Sequence, residues 1–350
     1  MHKLFKVKAE RTKKYKPYLD LRETEKAIRY IKTYFQAELS KSLNLYRVSA
    51  PITVTRRSGL NDYLSGVEEP VRFFVKSAGE EAEIVQSLAK WKRYALYKYG
   101  FRTGEGLYTD MNAIRPDEIL DNLHSIYVDQ WDWELIIDSK DRNLNYLKSV
   151  VSKIYGVIRK VEMQLISTFK SLPKLYLPDE IHFIHSEELE YMYPHLTPQE
   201  REDAICRQKG AVFLIGIGAN LKSGNPHDGR AADYDDWWTI TEDGRRGLNG
   251  DILVWYPPLN CTLELSSMGI RVDRNSLIKQ LELKNEKYKL NFDYHQKIAE
   301  NKLPLTIGGG IGQSRLCMFY LRKIHIGEVQ SGIWSDDIRA ETAKTGVPLL

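Results

Sequence analysis

The chain has 350 residues, of which 42% are hydrophobic and 28% are charged, a balance typical of a globular protein that buries a sizeable core. Its longest apolar run, residues 211–219, is far shorter than the roughly 20 residues a membrane helix needs, and the N-terminus lacks the apolar stretch of a signal peptide. Three cysteines without CxxC spacing argue against a disulfide framework or a zinc site, so a cytoplasmic location is the simplest prediction.

The net charge of +4 is unevenly distributed. Residues 1–20 hold seven Lys or Arg against two acids, which leaves the rest of the chain slightly negative. A basic segment can bind nucleic acid through phosphates, but short charged termini are more often simply solvated. We therefore predict a basic leader over residues 1–20 and one domain over residues 21–350, with nucleic acid as an unfavoured partner.

The predicted elements begin with an amphipathic helix. Apolar residues recur every three or four positions from Ile28 to Leu43, which predicts a helix over residues 22–44. A strand over residues 46–54 follows, and its Pro51 confines that strand to an edge or an interface because proline cannot donate to a central ladder.

The remaining elements follow from residue type and periodicity. Strands are predicted at residues 71–75, 83–88, 107–114, 124–133, 251–256 and 261–268. Helices are predicted at residues 89–99, 144–169, 198–207, 276–283, 293–301 and 312–322. Because most of the strands are not separated by helices, the pattern favours an α+β domain with a mostly antiparallel sheet flanked by helices.

A glycine-rich stretch from Thr306 to Leu316 is the most informative segment. Its four glycines run into Arg315 and an apolar, helix-like segment. Glycine lets the backbone pass close to a bulky anion, a helix start adds partial positive charge, and arginine stays charged at any physiological pH. The stretch favours binding of a nucleotide triphosphate, although tight turns also use glycine. Neither a P-loop nor a dinucleotide fingerprint is present.

Polar side chains in two predicted elements indicate a ligand. On the strand at residues 124–133, alternation places Gln130 and Asp132 on one face and three aromatic residues on the other. A buried carboxylate there would suit a ligand's ammonium group, whereas an edge strand facing water is the alternative. Lys92 lies on the apolar side of its helix, where snorkelling is the commoner fate of a lysine.

Charged residues elsewhere allow two interpretations each. Arg115 stands at a strand end before Pro116 and can present its guanidinium to phosphate or to water. Asp251 and Glu264 lie among apolar strand residues, and paired carboxylates beside a polyphosphate suit Mg²⁺. The acidic segment 230–238 could order over a ligand or only solvate a surface.

The segments that carry these residues together resemble the ammonia-dependent asparagine synthetases, or aspartate–ammonia ligases. They are SLAKWKR (87–93), GEGLYT (104–109), RPDE (115–118), YVDQWDWE (127–134), DYDDW (233–237), GLNGDILVW (247–255), ELSSMGIR (264–271) and GGGIGQSRL (308–316). That family is similar in fold to the catalytic core of class II aspartyl- and asparaginyl-tRNA synthetases. The helix leading into residues 46–54 looks like their first motif, which implies a homodimer.

The resemblance implies an enzyme that makes L-asparagine from L-aspartate, ammonia and ATP through a β-aspartyl adenylate, and that releases AMP and pyrophosphate. It implies ATP and Mg²⁺ as cofactors. The implied catalytic residues are Asp62 for the ammonia step, Arg115, Asp235 and Arg315. The implied nucleotide-binding residues are Arg115, Asp235, Gly309, Gly310 and Arg315, and the implied metal ligands are Asp251 and Glu264. The implied aspartate-binding residues are Ser87, Lys92, Gln130, Asp132, Ser266, Ser267 and Arg271.

Three other functions fit less well. An aspartyl-tRNA synthetase would need an oligonucleotide-binding module that a 20-residue basic leader cannot form. An inactive regulatory relative would be expected to have lost Arg115, Arg315 or the acids, which are all present. Glutamine-dependent synthesis commonly uses an N-terminal cysteine, and position 2 is His2.

Overall fold

The computed structural model describes residues 15–64 and 68–350, so most of the predicted leader lies outside the described residues. The strands are β1 (Leu45–Arg47), β2 (Thr53–Thr55), β3 (Arg72–Val75), β4 (Glu80–Ile84), β5 (Gly106–Ile114), β6 (Tyr127–Ile136), β7 (His182–His185), β8 (Ala211–Ile215), β9 (Asn249–Tyr256), β10 (Cys261–Ile270) and β11 (Thr306–Gly312). The α-helices are α1 (Leu21–Leu43), α2 (Ala89–Lys98), α3 (Leu144–Thr168), α4 (Ser186–Met192), α5 (Pro198–Lys209), α6 (Arg274–Leu283), α7 (Asp293–Ala299), α8 (Gln313–Leu321) and α9 (Asp336–Thr345).

An eight-stranded sheet organises the fold, in the spatial order β1-β5-β6-β11-β10-β9-β8-β7. Its inner pairings are antiparallel, whereas the two edge pairings, β1 with β5 and β7 with β8, are parallel. The α+β prediction is therefore confirmed, but the sheet is mixed. A separate three-stranded sheet has the order β2-β4-β3.

The long helix predicted near the start of the chain is present. Asp20 caps α1 by accepting a hydrogen bond from the backbone N–H of Glu23 at 2.8 Å, and the helix buries the apolar stripe that includes Ile31 and Phe35. Phe35 stacks on Trp131 of β6, with ring centroids 4.4 Å apart. One face of the large sheet is thereby covered by α1, together with α3 and α8 in the same apolar core.

The single strand predicted at residues 46–54 is wrong, because this stretch divides between two sheets. β1 pairs with β5, whereas β2 pairs with β4 of the small sheet. The chain crosses between them around Pro51, which has no N–H to donate to a continuous ladder. Ile52 still accepts a hydrogen bond from the N–H of Val85 at 3.0 Å.

The glycine-rich stretch is not a tight turn, which was the alternative to a phosphate-binding segment. It forms β11, which runs between β6 and β10 in the middle of the sheet and leads directly into α8.

Among the helices of the described residues, none combines the length and the apolar character needed to cross a membrane.

Candidate active site

A row of polar positions crosses one face of the large sheet. Register partners place Asp132 of β6 beside Gly310 of β11, Gly310 beside Ser267 of β10, and Ser267 beside Asp251 of β9. Residues in register across a sheet share a face, and neighbouring strands lie about 4.8 Å apart. The row from Asp132 to Asp251 is therefore roughly 14 Å long by the same spacing.

The glycines of β11 make room for this row. A Cβ atom at Gly310 would collide with the side-chain oxygen of Gln130, and one at Gly308 would collide with the carboxylate of Glu134. The opposite face carries Trp131 and Trp133, which are fully buried in the core. The predicted alternation on β6 is thus confirmed. The absence of side chains at these glycines of β11 leaves room for the polar side chains of β6.

A β-bulge in β10 brings a second carboxylate onto the same face. Glu264 is in register with Leu253, but Ser266 is in register with Ile252, so the pairing shifts by one residue between them. Glu264 consequently shares a face with Asp251 although it lies three residues before Ser267. The bulge also places Ser266 on the side of the apolar core, beside Ile252, while Ser267 faces the row, so contact of Ser266 with substrate stays a prediction.

Lys92 of α2 points into the site. Its side chain is fully buried, and Nζ lies 2.5 Å from Oδ1 of Asp132 and 2.9 Å from the carbonyl oxygen of Gly309. The snorkelling alternative is therefore wrong. Burial lowers the pKa of Lys92, and Asp132 opposes that change. Within the described residues, Oδ2 of Asp132 is buried without a hydrogen-bond partner, which leaves one carboxylate oxygen free to bind a ligand.

Arg271 follows β10 and lies between two buried carboxylates. Its guanidinium lies 2.9 Å from Glu134 and 2.5 Å from Asp235. Although burial acts to lower it, Glu134 and Asp235 raise the pKa of Arg271. Burial raises the pKa of Asp235, against the attraction of Arg271. This cluster keeps a permanent positive charge fixed beside the glycines of β11.

The three acids of segment 230–238 are buried and paired, so the solvated-surface interpretation is wrong. Asp233 lies 3.0 Å from Nζ of Lys90 and 2.8 Å from Nε2 of His295, and Asp235 pairs with Arg271 as described. Asp236 accepts from Arg142 at 2.6 Å. These contacts fasten the β8–β9 connection, residues 216–248, over the polar face of the sheet.

Asp62 is buried close to the pair of Lys90 and Asp233. Its Oδ1 accepts the backbone N–H of Leu64 at 3.1 Å. Burial raises the pKa of Asp62 to about 6, with the nearby charge of Lys90 opposing the rise and Asp233 adding to it. A carboxylate with that pKa can gain and lose a proton close to neutral pH.

Arg230 is a site residue that the sequence reasoning did not single out. One nitrogen of its guanidinium lies 2.5 Å from each oxygen of Asp251 and 3.1 Å from the hydroxyl of Ser267. Burial raises the pKa of Asp251 to about 7, with Arg230 opposing the rise and Glu264 adding to it. The available signal was a single arginine at the start of an acidic segment.

A cavity of about 270 Å³ opens beyond Asp251. Its lining includes Asp251, Glu264 and Arg315. Arg315 donates to the carbonyl oxygen of Glu264 at 3.2 Å and to that of Leu123 at 3.5 Å. The cavity therefore combines both predicted metal ligands with Arg315, one of the predicted nucleotide-binding residues.

Arg115 is the first residue of the connection between β5 and β6. Its Nε donates to the carbonyl oxygen of Gln86 at 3.3 Å, and its charge acts on Asp62. Arg115 is not among the described residues that line the cavity of Arg315, so contact of both arginines with one triphosphate stays a prediction. Ser87 is half-buried, and its hydroxyl accepts the N–H of Ala89 at 3.1 Å.

The start of α8 does not offer the free anion site that its sequence suggests. The backbone N–H of Ser314 donates to Oδ1 of Asp129 at 2.9 Å, so a carboxylate of the chain itself already lies at this helix N-terminus. Asp129 also pairs with Lys32 of α1 at 3.1 Å. This end of α8 therefore binds the sheet to α1, and Arg315 in its first turn is what reaches the cavity.

Sequence comparison relates nearly the whole chain to one group of proteins. The family model described as aspartate–ammonia ligase matches residues 22–346. The aspartate–ammonia ligases of Bacillus cereus (strain G9842) and Bacillus mycoides (strain KBAB4) are each 56% identical over 335 residues, which cover 96% of this chain and 99% of the relative.

Structural comparison finds the same architecture in tRNA synthetases. Asparaginyl-tRNA synthetase from Pyrococcus horikoshii, solved with asparaginyl-adenylate, has a TM-score of 0.66 at 15% identity, over 88% of this chain and 68% of that one. The asparaginyl-tRNA synthetase of Entamoeba histolytica has a TM-score of 0.63 at 14% identity, over 89% and 67%. The predicted class II synthetase-like fold is confirmed.

The buried Lys92–Asp132 pair predicts a non-additive effect on stability. Lys92→Met should lower the free energy of unfolding by about 3–5 kcal/mol, because it leaves Asp132 charged and buried without a partner. The double variant Lys92→Met/Asp132→Asn should recover most of that loss. Urea denaturation of the unmodified chain, the single variant and the double variant measures these changes in the free energy of unfolding.

A matched control is Lys279→Met, which removes one partner of an exposed pair with Glu282, whose side chains are 42% and 48% accessible. This change should cost less than about 1 kcal/mol. If the double variant is as unstable as Lys92→Met, the uncompensated charge of Asp132 is not the cause of the lost stability.

Proposed function

The chain belongs to the aspartate–ammonia ligase family, and from that premise we propose how its site makes L-asparagine from L-aspartate, ammonia and ATP. The proposed route activates the side-chain carboxylate as a β-aspartyl adenylate, with release of pyrophosphate, before ammonia displaces AMP. Support comes from the fold shared with a synthetase solved with an aminoacyl-adenylate. The single observation that carries the assignment of the site is the row Asp132–Gly310–Ser267–Asp251.

Aspartate binds at the Asp132 end of this row. Its ammonium group meets the free oxygen of Asp132, and Arg271 and Lys92 offset the charge of its carboxylates. Gln130 lies on the same face as Asp132, and Ser87 stands at the start of the helix that carries Lys92. Bound this way, the side-chain carboxylate points along the row towards Ser267.

ATP binds at the other end, with its α-phosphorus over Ser267 and Asp251. The aspartate oxygen attacks this phosphorus, the bond to the bridging oxygen of pyrophosphate breaks, and pyrophosphate leaves with the electron pair. Arg115 on the α-phosphate and Arg315 towards the γ-phosphate offset the developing charge, which is the main protein contribution in phosphoryl chemistry. Gly309, Gly310 and Asp235 complete the proposed nucleotide contacts.

Mg²⁺ fits the two carboxylates that the bulge brings together, Asp251 and Glu264. The described residues contain no group of three or more His, Cys, Asp or Glu able to hold a metal, and Mg²⁺ characteristically uses one or two carboxylates plus phosphate oxygens. When bound, the ion would neutralise phosphate charge. Because Arg230 occupies both oxygens of Asp251, the metal and Arg230 compete for this carboxylate.

This competition predicts that Arg230→Gln strengthens metal binding in the absence of ATP. A charged hydrogen bond is worth roughly 1.5–3 kcal/mol, so the dissociation constant for Mn²⁺, used as a paramagnetic probe, should fall about tenfold or more when the competitor is removed. Electron paramagnetic resonance of free Mn²⁺ measures the constant.

Arg245→Gln provides the matched control, because Arg245 pairs only at the surface with Glu188, at 35% and 46% side-chain exposure. Its Mn²⁺ affinity should equal that of the unmodified chain. Unchanged or weaker Mn²⁺ binding in Arg230→Gln would rule out the competition.

Asp62 serves the ammonia step. An attacking amine must lose a proton, and a base works best when its pKa lies near the working pH. Burial raises the pKa of Asp62 to about 6, which makes this carboxylate a stronger base than an exposed aspartate. Asp62 is therefore the proposed acceptor of the ammonia proton.

Asp62→Asn should separate the two half-reactions. Aspartate-dependent ATP–pyrophosphate exchange should stay close to normal, whereas asparagine formation should fall by about a hundredfold or more, since an amide cannot accept the proton. Equal loss of both activities would refute the role.

The same assignment predicts a pH effect of defined sign. With the concentration of uncharged ammonia held constant, the ratio of asparagine formation to pyrophosphate exchange should fall as the pH drops below about 6, because protonated Asp62 cannot take up a proton. In Asp62→Asn this ratio should be low and independent of pH.

Assembly and location complete the proposal. Residues 21–350 form the catalytic domain, and residues 1–20 a basic leader. A homodimer through α1 and the stretch after it is supported by exposed Tyr46 and Ile52, at 56% and 60% accessibility. The three cysteines are buried and form no disulfide bond, which suits the cytoplasm. Nucleic acid is not needed as a partner.

The experiment that tests the function is an assay of nucleotide products with aspartate and ATP, with and without ammonium. Ammonium-dependent asparagine together with AMP and pyrophosphate is expected. Formation of ADP instead would contradict the adenylate route.

A further inference from the structure

The cavity beside Asp251 is lined by a histidine that no step above uses. His227 belongs to the β8–β9 connection and lines the cavity together with Glu202 of α5, Glu264 and Arg315. The ring of His227 is 97% buried, since its relative accessibility is 3%. A polar ring so deeply buried in the wall of a charged cavity calls for a function or a full set of hydrogen bonds.

The hydrogen bonds of this ring are incomplete. Nε2 of His227 lies 2.9 Å from a carboxylate oxygen of Glu202, and Nδ1 is buried with no hydrogen-bond partner in the described part of the chain. Glu202 is the group that fixes the ring, because it holds one of its two nitrogens. Because Nε2 donates to the carboxylate of Glu202, Nδ1 carries a proton only in the imidazolium form of the ring, and in that form an acceptor oxygen of a ligand would supply the partner that Nδ1 lacks.

The position of the cavity along the strands identifies which part of the nucleotide reaches the ring. Asp251 stands in the row where the α-phosphorus is proposed to lie. The cavity continues along β9 to Leu253 and along β10 to Thr262, and two residues of strand advance about 7 Å. This direction follows the strands and lies at right angles to the row, and β- and γ-phosphates that leave the α-phosphorus along the strands would enter the cavity.

We propose that His227 binds the pyrophosphate portion of ATP, and that Glu202 is the positioning residue that holds its ring. The proposal rests on the proposed function, because it takes the α-phosphorus to lie over the row. The lining of the cavity is otherwise rich in carboxylates, namely Asp228, Asp251, Glu202 and Glu264, with Arg315 as its permanent cation. A further donor to phosphate beside Arg315 therefore has a clear use.

The test compares ligands that contain the outer phosphates with one that does not. In His227→Ala, the dissociation constant of Mg²⁺-pyrophosphate and the KM for ATP should each rise about tenfold to a hundredfold, the value of one hydrogen bond to a charged group. The dissociation constant of AMP and the KM for aspartate should stay within about twofold, since neither ligand carries the outer phosphates that are proposed to contact His227.

One further variant and one control keep the result interpretable. Glu202→Gln retains an acceptor for Nε2 and should give a smaller weakening of pyrophosphate binding, again without an effect on AMP. His195→Ala changes an exposed histidine and should leave all four constants unchanged. Calorimetric titration with pyrophosphate reads out binding without turnover, and a melting curve checks that each variant is folded.

Two outcomes would overturn the proposal. Unchanged pyrophosphate affinity in folded His227→Ala would show that the ring makes no contact. Equal weakening of AMP and pyrophosphate would show a general distortion of the site. In both cases ammonium-dependent formation of asparagine and AMP by the unmodified chain would still support the proposed function, so failure of one is distinguishable from failure of the other.

Discussion

The site depends on the burial of charges in pairs on a sheet face that glycine keeps open. A lone buried ion is costly, and a buried pair is tolerated only when its geometry is good. Lys92 with Asp132 meets that condition at 2.5 Å, and Arg271 meets it between Glu134 and Asp235. Both groups of charges lie beside the glycines of β11. A larger side chain at Gly308 or Gly310 would occupy the space that these charged side chains fill.

Part of this arrangement could be predicted from the sequence. The 3.6-residue period of apolar residues predicts α1, and the two-residue alternation of side chains separates Trp131 and Trp133 from Asp132. Both patterns can be read because each lies within one short segment. β11 could not be recognised as a strand, since glycine lacks strand propensity; here it is paired on both sides. The bulge before Ser266 leaves no local pattern, so the sequence alone could not show that Ser266 faces the core while Glu264 faces the site.

Pairing between distant segments was the other source of error. Lys92 on an amphipathic helix gives the same pattern whether it snorkels or turns inward, and only the position of Asp132, 40 residues away, decides between them. The acids of segment 230–238 are similar, because their partners Lys90, Arg142 and Arg271 come from three other parts of the chain. The family resemblance supplied candidate residues in these places, but not their partners.

The β8–β9 connection shows how a long loop can be ordered before substrate arrives. Each of its acids Asp233, Asp235 and Asp236 pairs with a lysine or arginine from another part of the chain. The connection is therefore fixed by buried ion pairs rather than by ligand. Arg230 differs from these acids, because its partner Asp251 is also a proposed metal ligand. The proposed binding of metal and nucleotide therefore leaves the pairs at Asp233, Asp235 and Asp236 in place, whereas it would require the contact of Arg230 with Asp251 to change.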